Sequence, residues 1–515
     1  MWQNCVVTME ELIDLFVIGG GINGTAIAAD AAGRGLSVIL CEKNDLASGT
    51  SSASTKLIHG GLRYLELYDF KLVREALRER EILMRKAPNL IKPLQFILPY
   101  ETHLRPAWLI RLGLFLYDHL SSGNTLPNSS SVFFKNDPRG IALQDKYEKG
   151  FSYYDCSTDD ARLVVLNAVQ AEYDGARIHT QTDFVSATRE NSHWKIELKN
   201  KITNKTIFCY AKALVNAAGP WINAIQKNIL NAQHFKVELV KGSHIVLPKL
   251  YEGDFAYILQ NSDNRIIFTI PYLKEFTLIG TTDVAISDDL QNISIIDSEI
   301  EYLCKNVNRY FKKSISKENI ISSYSGVRCL QSADTQNVSK ISRDYKLILQ
   351  SESNIPLLTI IGGKITTHRM LAEKTLTLLK PFFPKMKAAW TAKAALPGCD
   401  FGERGFQKFY LAFKKQFSWL DENLAYRYAS QYGTRADILL ENANSMLDLG
   451  EKFSDTLFQK EVEFLIKHEW ACTSDDILWR RTKLGMFLSE LEKNKLNQFI
   501  QQYGKLTPDP AISAG

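Results

Sequence analysis

The stretch Leu15-Phe16-Val17-Ile18-Gly19-Gly20-Gly21-Ile22-Asn23-Gly24 decides the fold of this chain of 515 residues. Its first four residues are apolar without interruption, which is typical of a parallel strand buried on both faces. The glycines at positions 19, 21 and 24 follow with the spacing G-x-G-x-x-G, and the small residues of Thr25–Gly33 predict a helix. Strand, glycine turn and helix together indicate the start of a Rossmann-type fold.

Glu42 completes the nucleotide-binding pattern. A second apolar run, Leu36–Leu40, predicts the next parallel strand, and Glu42 stands just after it. A carboxylate there binds the hydroxyl pair of an unphosphorylated ribose, which favours FAD or NAD over NADP. The diphosphate of such a cofactor would lie against the glycine turn, at the positive end of the helix. We therefore predict cofactor contacts from Gly19, Gly21, Gly24 and Glu42; a glycine turn without a ligand is the alternative.

The composition limits the classes of protein to which this chain can belong. With 62 basic and 57 acidic residues the net charge is only +5, too small to indicate a nucleic-acid-binding surface. The eight cysteines contain no C-x-x-C pair, which predicts reduced thiols, several of them buried, and no metal site. We expect no membrane span, since no uncharged apolar run reaches roughly 18 residues, and no signal peptide. A chain of this length predicts two or three domains.

The segment Thr50–Tyr64 concentrates hydroxyl and cationic side chains. A polar surface loop that caps the following helix would have a similar composition. The glycines at 60 and 61 beside His59 favour a ligand site, because glycine lets the backbone approach a ligand closely. We predict that this segment runs along the cofactor, with His59 and Arg63 turned towards a substrate. Its predicted cofactor contacts are Ser51, Ser54, Lys56, Leu57 and Gly60.

Two later segments repeat the pattern of a strand that ends in glycine. Leu214–Trp221 fits a strand that returns beside the cofactor and predicts a contact from Gly219, although an ordinary strand-to-helix turn explains it almost as well. Leu358–His368 combines a strand, two glycines, Lys364 and a helix start. A helix N-terminus with hydroxyls and a lysine stabilises negative charge on a reduced flavin. Its predicted cofactor contacts are Gly363 and Thr366.

The rest of the chain predicts three further regions. Leu62–Lys86 has the spacing of one long amphipathic helix. Short β-runs from Val237 to Asp283, with a turn at 261–264, predict an antiparallel meander. After a linker at 394–398 the chain is rich in helix-forming, aromatic and charged residues, which predicts a helical C-terminal region.

Two segments are candidates for a membrane surface. Arg105–Tyr117 is apolar and carries arginine and tryptophan, as interfacial helices do. A buried core helix is the alternative for this segment and is favoured here. Trp479, Arg480, Arg481 and Lys483 form a second candidate surface for membrane or dimer contact.

These segments, in this order, resemble the FAD-dependent glycerol-3-phosphate dehydrogenases of the aerobic respiratory type. The resemblance covers nearly the whole chain and includes SSASTKLIHGGLRYLE, HLRPAWLIRLGLFLYDHL, DDARLVV, VNAAGPW, KGSHIVLP, IGTTDV, YSGVR, GGKITT and LWRRTKLGM. It implies an α/β protein with a Rossmann-type FAD domain (1–80, 155–236 and 322–389). It also implies an antiparallel-sheet substrate domain (81–154 and 237–321) and a helical C-terminal domain (390–515).

The same resemblance implies a function. Such an enzyme oxidises sn-glycerol 3-phosphate to dihydroxyacetone phosphate with FAD and passes the electrons to a ubiquinone-type acceptor. It forms homodimers that lie peripherally on the cytoplasmic face of the inner membrane. Two positions depart from the family pattern: Cys329 stands where GVRPL has proline, and His368 replaces a common tyrosine. Neither change removes a charged group expected to hold substrate.

Oxidation of a secondary alcohol also requires a base and cations. Histidine suits the base, and we prefer His59, with His244 as the rival. The resemblance places Arg63, Tyr64, His244 and Thr281 at the substrate phosphate. It places Arg328 and Lys364 nearer the reacting carbon, so that His59, Arg328 and Lys364 are the predicted catalytic residues.

Three other functions compete with this interpretation. The nearest is an oxidase that acts on the same substrate and reduces oxygen to peroxide. An amine oxidase of the glycine or sarcosine type is more distant, because that class binds carboxylates and needs fewer phosphate-binding cations. An interaction protein that holds FAD as a structural element is the third.

Overall fold

The computed structural model describes most of the chain. The described residues are 11–101, 106–121, 123–263, 265–287, 290, 292–331, 344–402 and 405–506. Cys5, Arg105 and the residues after 506 lie outside these ranges. The other seven cysteines are free thiols, and six of them are buried, which confirms the expectation for those positions.

The strands and helices alternate in the first part of the chain, and helices dominate the last part. The strands are β1 (Leu12–Ile18), β2 (Val38–Cys41), β3 (Leu57–Ile58), β4 (Lys92–Pro99), β5 (Ser130–Phe133), β6 (Lys149–Ser157), β7 (Arg177–His179), β8 (Thr182–Glu190), β9 (His193–Asn200), β10 (Thr206–Asn216), β11 (Val237–Pro248), β12 (Phe255–Gln260), β13 (Ile266–Tyr272), β14 (Phe276–Gly280), β15 (Val284–Ile286), β16 (Ser322–Gln331), β17 (Lys346–Gln350), β18 (Leu357–Ile361), β19 (Lys452–Ser454) and β20 (Leu457–Phe458). The helices are α1 (Ile22–Gly33), α2 (Phe70–Lys86), α3 (Ala107–His119), α4 (Asp160–Tyr173), α5 (Ile222–Lys227), α6 (Asp297–Asn308), α7 (His368–Leu379), α8 (Gly405–Gln416), α9 (Glu422–Tyr432), α10 (Ala436–Leu439), α11 (Gln459–Glu469) and α12 (Glu490–Leu506).

The first sheet is centred on β1. Its strand order is β17-β18-β10-β1-β2-β7, and β8 and β9 extend it beside β10. β1 runs parallel to both β2 and β10, and β10 runs parallel to β18. Leu15 and Val17 pack with α1 on one face, and Phe16 and Ile18 pack with Trp194 on the other. This arrangement confirms the predicted strand-helix-strand unit and explains why β1 is apolar throughout.

The second sheet has ten strands and is mostly antiparallel. Its order is β15-β11-β14-β13-β12-β4-β6-β3, with β16 beside β11 and β5 beside β6. The run β11, β14, β13, β12 is the predicted meander, and the turn after Gln260 joins β12 to β13. The predicted domain boundaries place β3, the end of β6 and β16 with the FAD sheet, whereas these strands pair in the second sheet. The division into three domains stays a prediction.

The expectation of one helix over Leu62–Lys86 is wrong at its first turns. Residues 62–67 form a 3-10 helix, and Tyr68 adopts a left-handed conformation with φ of 57°. The Asp69 carboxylate then accepts a hydrogen bond from the Leu72 N–H (3.2 Å) and caps α2. Aspartate favours this cap position because its side chain satisfies an amide that the helix leaves unpaired.

The preference for a buried core helix at Arg105–Tyr117 is also wrong. In α3 only one side packs on the protein, through residues that include Leu114 and Tyr117. Trp108 is 68% exposed and Phe115 is 54% exposed, and Leu112 lies near them on the open side. Apolar composition alone does not distinguish a covered helix from one with an open apolar face. In the part of the chain that the structure describes, every helix is too short or too polar to span a bilayer.

The C-terminal helical region has its own apolar core and an ionic attachment to the first sheet. Tyr428, Leu465 and their neighbours form that core. Both oxygens of Asp45, in the loop after β2, accept hydrogen bonds from the fully buried Arg481 (2.7 and 2.8 Å). Arg481 and the 7% exposed Lys483 are therefore interior residues, which contradicts the expectation that they lie on a membrane or dimer surface.

Loss of one partner from this ionic attachment should destabilise the protein. We expect Arg481→Gln to lower the free energy of unfolding by about 3 kcal/mol, because removal of one ion leaves Asp45 buried with less compensation. The value lies at the low end of the range for buried pairs, since Arg480 also pairs with Asp45. Guanidinium denaturation followed by circular dichroism measures the change. Lys495→Gln, which removes an exposed pair with Glu451, is the control and should cost less than about 1 kcal/mol. Equal effects of the two substitutions would contradict the prediction.

Candidate active site

One large cavity lies where the two sheets meet. Its volume is about 730 Å³, and its walls include the glycine turn after β1, the loop 47–64, and the ends of β10, β16 and β18. The carboxyl ends of parallel strands are the usual place for a nucleotide in an open α/β sheet. A cavity of this size lies in the range of sites for cofactors and small ligands.

The glycine turn is packed too closely for side chains. A Cβ on Gly24 would lie 1.9 Å from the carbonyl oxygen of Gly19, and a Cβ on Gly19 would lie 2.7 Å from that of Ala217. Gly19 also has φ of 110°, which residues with side chains rarely adopt. Gly19 and Gly21 line the cavity, whereas Gly24 stands behind the lining and lets α1 approach the turn. The N-terminus of α1 therefore opens directly onto the cavity.

Glu42 closes the same end of the cavity. Its carboxylate accepts hydrogen bonds from the N–H groups of Gly20 (2.7 Å) and Asn44 (2.9 Å). Burial raises the pKa of the Glu42 carboxyl, and the two amide hydrogen bonds oppose that rise. Each carboxylate oxygen keeps a further lone pair, so the side chain retains acceptors for a ribose hydroxyl pair.

The loop Thr50–Lys56, which we call the hydroxyl loop, crosses the cavity beside this turn. Ser51 Oγ accepts a hydrogen bond from the Ile22 N–H (3.0 Å) at the start of α1. Ser51, Ser54 and the following Leu57 line the cavity. Lys56 lies outside the lining, and its ammonium group binds the buried carboxylate of Asp160 (2.9 Å).

The segment from His59 to Tyr64 continues along the cavity wall. His59 is half-buried, its N–H donates to Thr366 Oγ1 (3.2 Å), and its ring lies edge-on to Phe268 (6.4 Å between centroids). Gly60 lies behind the lining, where a Cβ would meet the side chain of Leu77 at 2.5 Å. Gly60 therefore packs against Leu77, whereas His59 and Gly61 line the cavity.

His244, on β11, is the second histidine of the cavity. It is 2% exposed, its ring stacks on Tyr324 (4.9 Å), and its Nε2 lies 3.0 Å from Thr55 Oγ1. Burial, and then the charges of Lys56 and Arg328, lower the pKa of His244 to about 3. Among the described residues none lies within hydrogen-bonding distance of its buried Nδ1. His244 is thus a neutral ring at neutral pH that can hydrogen-bond to a ligand in the cavity.

The side chains of Lys43, Arg63, Arg328 and Lys364 line the cavity, and the last three form what we call the cationic wall. Arg328 pairs with Asp283 and donates to the carbonyl of Thr282 (3.3 Å). The ammonium group of Lys364 lies 3.9 Å from the ring centre of Tyr64. The structure also brings Tyr64, His244 and Thr281 to this cavity. Gly219, Gly363 and Thr366 line it near the ends of β10 and β18.

Sequence reasoning did not single out Thr55, Asp160 or Tyr324. Tyr324 donates a hydrogen bond to the carbonyl of Ser54 (2.8 Å), and the buried Asp160 binds Ser54 and Lys56. The only signal for Asp160 is its place in the DDARLVV segment, where an acid at a helix start indicates a cap rather than a partner of a distant lysine. In the described ranges no cluster of histidine, cysteine, aspartate and glutamate is suited to a metal ion.

These features fit a flavin dinucleotide. The glycine turn and the amides at the start of α1 suit the diphosphate, and Glu42 suits the ribose. The remaining cavity, between the hydroxyl loop and the cationic wall, leaves room for a ring system and a small anionic molecule.

Comparisons with known proteins agree with this chemistry. The sequence pattern described as FAD dependent oxidoreductase matches residues 14–368. The pattern described as C-terminal domain of alpha-glycerophosphate oxidase matches residues 389–507. The chain is 26% identical to a glycerol-3-phosphate dehydrogenase from Bacillus halodurans whose crystal structure contains FAD. The TM-score is 0.76, and the match covers 97% of this chain and 96% of the other.

Several named relatives match over almost their full length. The chain is 50% identical to the glycerol-3-phosphate dehydrogenase of Pseudomonas aeruginosa, with 96% of each chain covered. It is 45% identical to the aerobic glycerol-3-phosphate dehydrogenase of Escherichia coli, with 96% of this chain and 98% of the other covered. It is 47% identical to the D-erythritol 1-phosphate dehydrogenase of Brucella abortus, with 94% and 96% covered. The cavity and these matches lead to one conclusion: the chain belongs to the family of FAD-dependent oxidoreductases.

Proposed function

We propose that this protein oxidises sn-glycerol 3-phosphate to dihydroxyacetone phosphate and uses FAD as its cofactor. The observation that carries the proposal is the cationic wall, which lines the same cavity as a neutral histidine, and that cavity is suited to a flavin. A phosphate dianion needs several cations and hydrogen-bond donors, and this wall provides both. The relatives named as glycerol-3-phosphate dehydrogenases, at 45–50% identity, support the same substrate.

The proposed roles divide the cavity into two ends. Arg63, Tyr64, His244 and Thr281 bind the substrate phosphate, and Arg328 and Lys364 lie nearer the carbon that is oxidised. Lys364 and Arg328 hold the substrate oxygen as its proton leaves, because cations stabilise a developing alkoxide. FAD, when bound, supplies the hydride acceptor for this reaction.

His59 is the proposed base. It is half-buried at the cavity wall, where an imidazole can exchange its proton with solvent. His244 is less suited to this task, because its burial and the nearby charges of Lys56 and Arg328 disfavour its protonated form. A neutral His244 is suited to hydrogen-bond the phosphate instead.

The proposal extends to the electron acceptor and the partners. We propose a ubiquinone-type acceptor, a homodimer, and peripheral attachment to the cytoplasmic face of the inner membrane. The open apolar face of α3, with Trp108 and Phe115, supports the membrane contact, since such faces insert among lipid headgroups. An oxidase that reduces oxygen is the nearest alternative for the acceptor.

The substrate can be identified by the colour of the flavin. Anaerobic addition of sn-glycerol 3-phosphate to the FAD-loaded protein should bleach the flavin within the time of mixing. Glycine and sarcosine should leave it oxidised, because they carry no phosphate for the cationic wall. D-erythritol 1-phosphate is the informative comparison, since a relative at 47% identity is named for it. Bleaching by glycine or sarcosine, without bleaching by the phosphates, would overturn the substrate assignment.

The acceptor is then identified by reoxidation. We expect a soluble ubiquinone analogue to restore the flavin colour faster than dissolved oxygen does. Peroxide formed in equal amount to the substrate consumed would show instead that the protein is an oxidase.

Arg328→Ala should remove turnover while FAD stays bound. We expect kcat/KM to fall by roughly 100- to 1,000-fold, the loss typical when one stabilising charge is removed from an active site. Steady-state kinetics and the flavin spectrum measure both properties. Arg265→Ala is a matched control, because Arg265 has a comparable exposure (31% against 26%) and pairs with an aspartate away from the cavity. Unchanged kinetics in Arg328→Ala would remove this residue from the site.

Substitutions of the two histidines should have different effects on kcat and KM. His59→Gln should lower kcat by roughly 100- to 10,000-fold, since it removes the base, with a smaller change in KM. His244→Gln should chiefly raise KM, since it removes a partner of the phosphate. The reverse result would assign the base to His244.

A further inference from the structure

The hydroxyl loop connects the two ends of the cavity. Ser51 binds the first turn of α1 through the Ile22 N–H (3.0 Å). At the other end of the loop, Thr55 Oγ1 lies 3.0 Å from Nε2 of His244, the proposed phosphate-binding histidine. The position of this loop therefore affects both the glycine turn proposed to bind the cofactor and the position of His244, which is proposed to bind the substrate phosphate.

Asp160 holds the hydroxyl loop from behind. It is fully buried at the start of α4. Its carboxylate accepts hydrogen bonds from the Ser54 N–H (3.2 Å), the Ser54 hydroxyl (2.7 Å) and the Lys56 ammonium group (2.9 Å). Lys56 has φ of 59°, a conformation that costs a lysine free energy. The contacts with Asp160 compensate for that conformation and fix the end of the loop.

A residue of the C-terminal region reaches the same carboxylate. Lys483 is 7% exposed, and its ammonium group lies 3.4 Å from Asp159 and 3.8 Å from Asp160. The ammonium group also donates to the carbonyl of Trp479 (2.8 Å). Burial alone would raise the pKa of Asp160, but Lys56 and Lys483 outweigh burial and hold that pKa below its usual value. The two lysines balance the two aspartates, of which Asp160 is fully buried and Asp159 is 22% exposed.

We infer that Lys483 is a positioning residue for the substrate site. It lies outside the cavity lining and acts through Asp160 and the hydroxyl loop, which presents Thr55 to His244. The inference rests on the proposed function for its kinetic consequence. It gives the C-terminal region a role in catalysis beyond its attachment to the first sheet.

The expected effect of removing Lys483 follows from charge. Without its ammonium group, the buried Asp160 carboxylate keeps Lys56 as its ion-pair partner but loses the second positive charge that offsets its burial. The charged carboxylate is then less stable, so the contacts that it makes with Ser54 and Lys56 weaken and the left-handed turn of the loop loses part of its support. Thr55 moves relative to His244, and the substrate phosphate is bound less well. The FAD contacts of the glycine turn are retained, because α1 does not depend on Lys483.

Lys483→Gln tests this inference. We expect a roughly 10- to 100-fold rise in KM for glycerol 3-phosphate, a smaller change in kcat, and an unchanged flavin spectrum, since small displacements of contact groups cost this much. Lys483→Arg keeps the charge and should restore KM to within about threefold of the original protein. Hydrogen exchange at the amides of Ser54 and Lys56 should be faster in Lys483→Gln.

Arg435→Gln is the control for a loss of stability alone. Arg435 is a buried cation of the same region, but it pairs with Glu469 and donates to the carbonyl of His468 instead of contacting Asp159 or Asp160. Its melting temperature should fall at least as far as that of Lys483→Gln, while KM stays within about twofold of the original value. Equal rises in KM in the two variants would show that Lys483 acts only through stability and would overturn the inference.

A double-mutant cycle tests whether Lys483 affects substrate binding through Thr55. Thr55→Val removes the hydroxyl beside His244 and should raise KM by itself. If Lys483 acts through Thr55, the double variant should be little worse than either single variant. Effects that multiply would show two independent actions and would exclude this path.

The inference can still be tested if Lys483→Gln does not fold or if the proposed substrate is wrong. If Lys483→Gln does not fold, Lys483→Met replaces it, because methionine keeps the apolar stem of the lysine and removes the ammonium group. This variant should also raise KM and speed exchange at Ser54 and Lys56; no change in either would overturn the inference. The exchange measurement needs no substrate. Failure of the original protein to oxidise glycerol 3-phosphate would therefore reject the proposed function, while exchange alone would still decide whether Lys483 orders the loop.

Discussion

The contact between Gly24 and Gly19 is the constraint on which the rest of the site depends. With no side chain at either position, the first turn of α1 lies directly on the loop after β1. The N-terminus of α1 consequently opens onto the cavity, where it favours a diphosphate. The hydroxyl loop is placed against the same turn by the Ser51–Ile22 contact, and His244, the proposed phosphate-binding histidine, is placed against the hydroxyl loop. One close backbone contact thus sets the positions of both ends of the site.

Buried ion pairs, rather than apolar contacts alone, connect the C-terminal region to this centre. Asp45 binds Arg481, Arg162 binds Glu469, and Asp160 lies near Lys483. Such pairs add little net stability compared with apolar packing, but a misplaced partner leaves a buried charge uncompensated. They therefore favour one arrangement of the region over others that bury similar apolar area. This specificity matters for the active site, because the position of the hydroxyl loop determines one wall of the cavity.

Local patterns predicted most of the fold, and long-range partners could not be predicted. The strand-helix-strand unit and the meander follow from periodicity and glycine spacing. The sequence pattern does not predict the break before α2. Asp69 is recognised as a helix cap, and not as an aspartate inside a helix, only once the left-handed turn at Tyr68 is known. The acidic partners of Arg481 and Lys483 lie in distant segments of the chain, and sequence patterns do not show such partners. A cluster of basic residues that is typical of an exposed surface is therefore found in the interior. The apolar face of α3 was misjudged because sequence does not state which faces other elements cover.

The order of segments in the first sheet has a consequence for synthesis of the chain on the ribosome. β1 lies between β2 and β10, and β10 in turn pairs with β18, so the sheet is assembled from three segments separated by long insertions. The N-terminal strand cannot gain its second neighbour until Asn216 has been translated, and the sheet stays incomplete until Ile361 follows. Pairing between such remote segments is slow and leaves apolar edges open meanwhile. The open apolar edges therefore make the nascent chain prone to aggregation until the last strands of the sheet have been made.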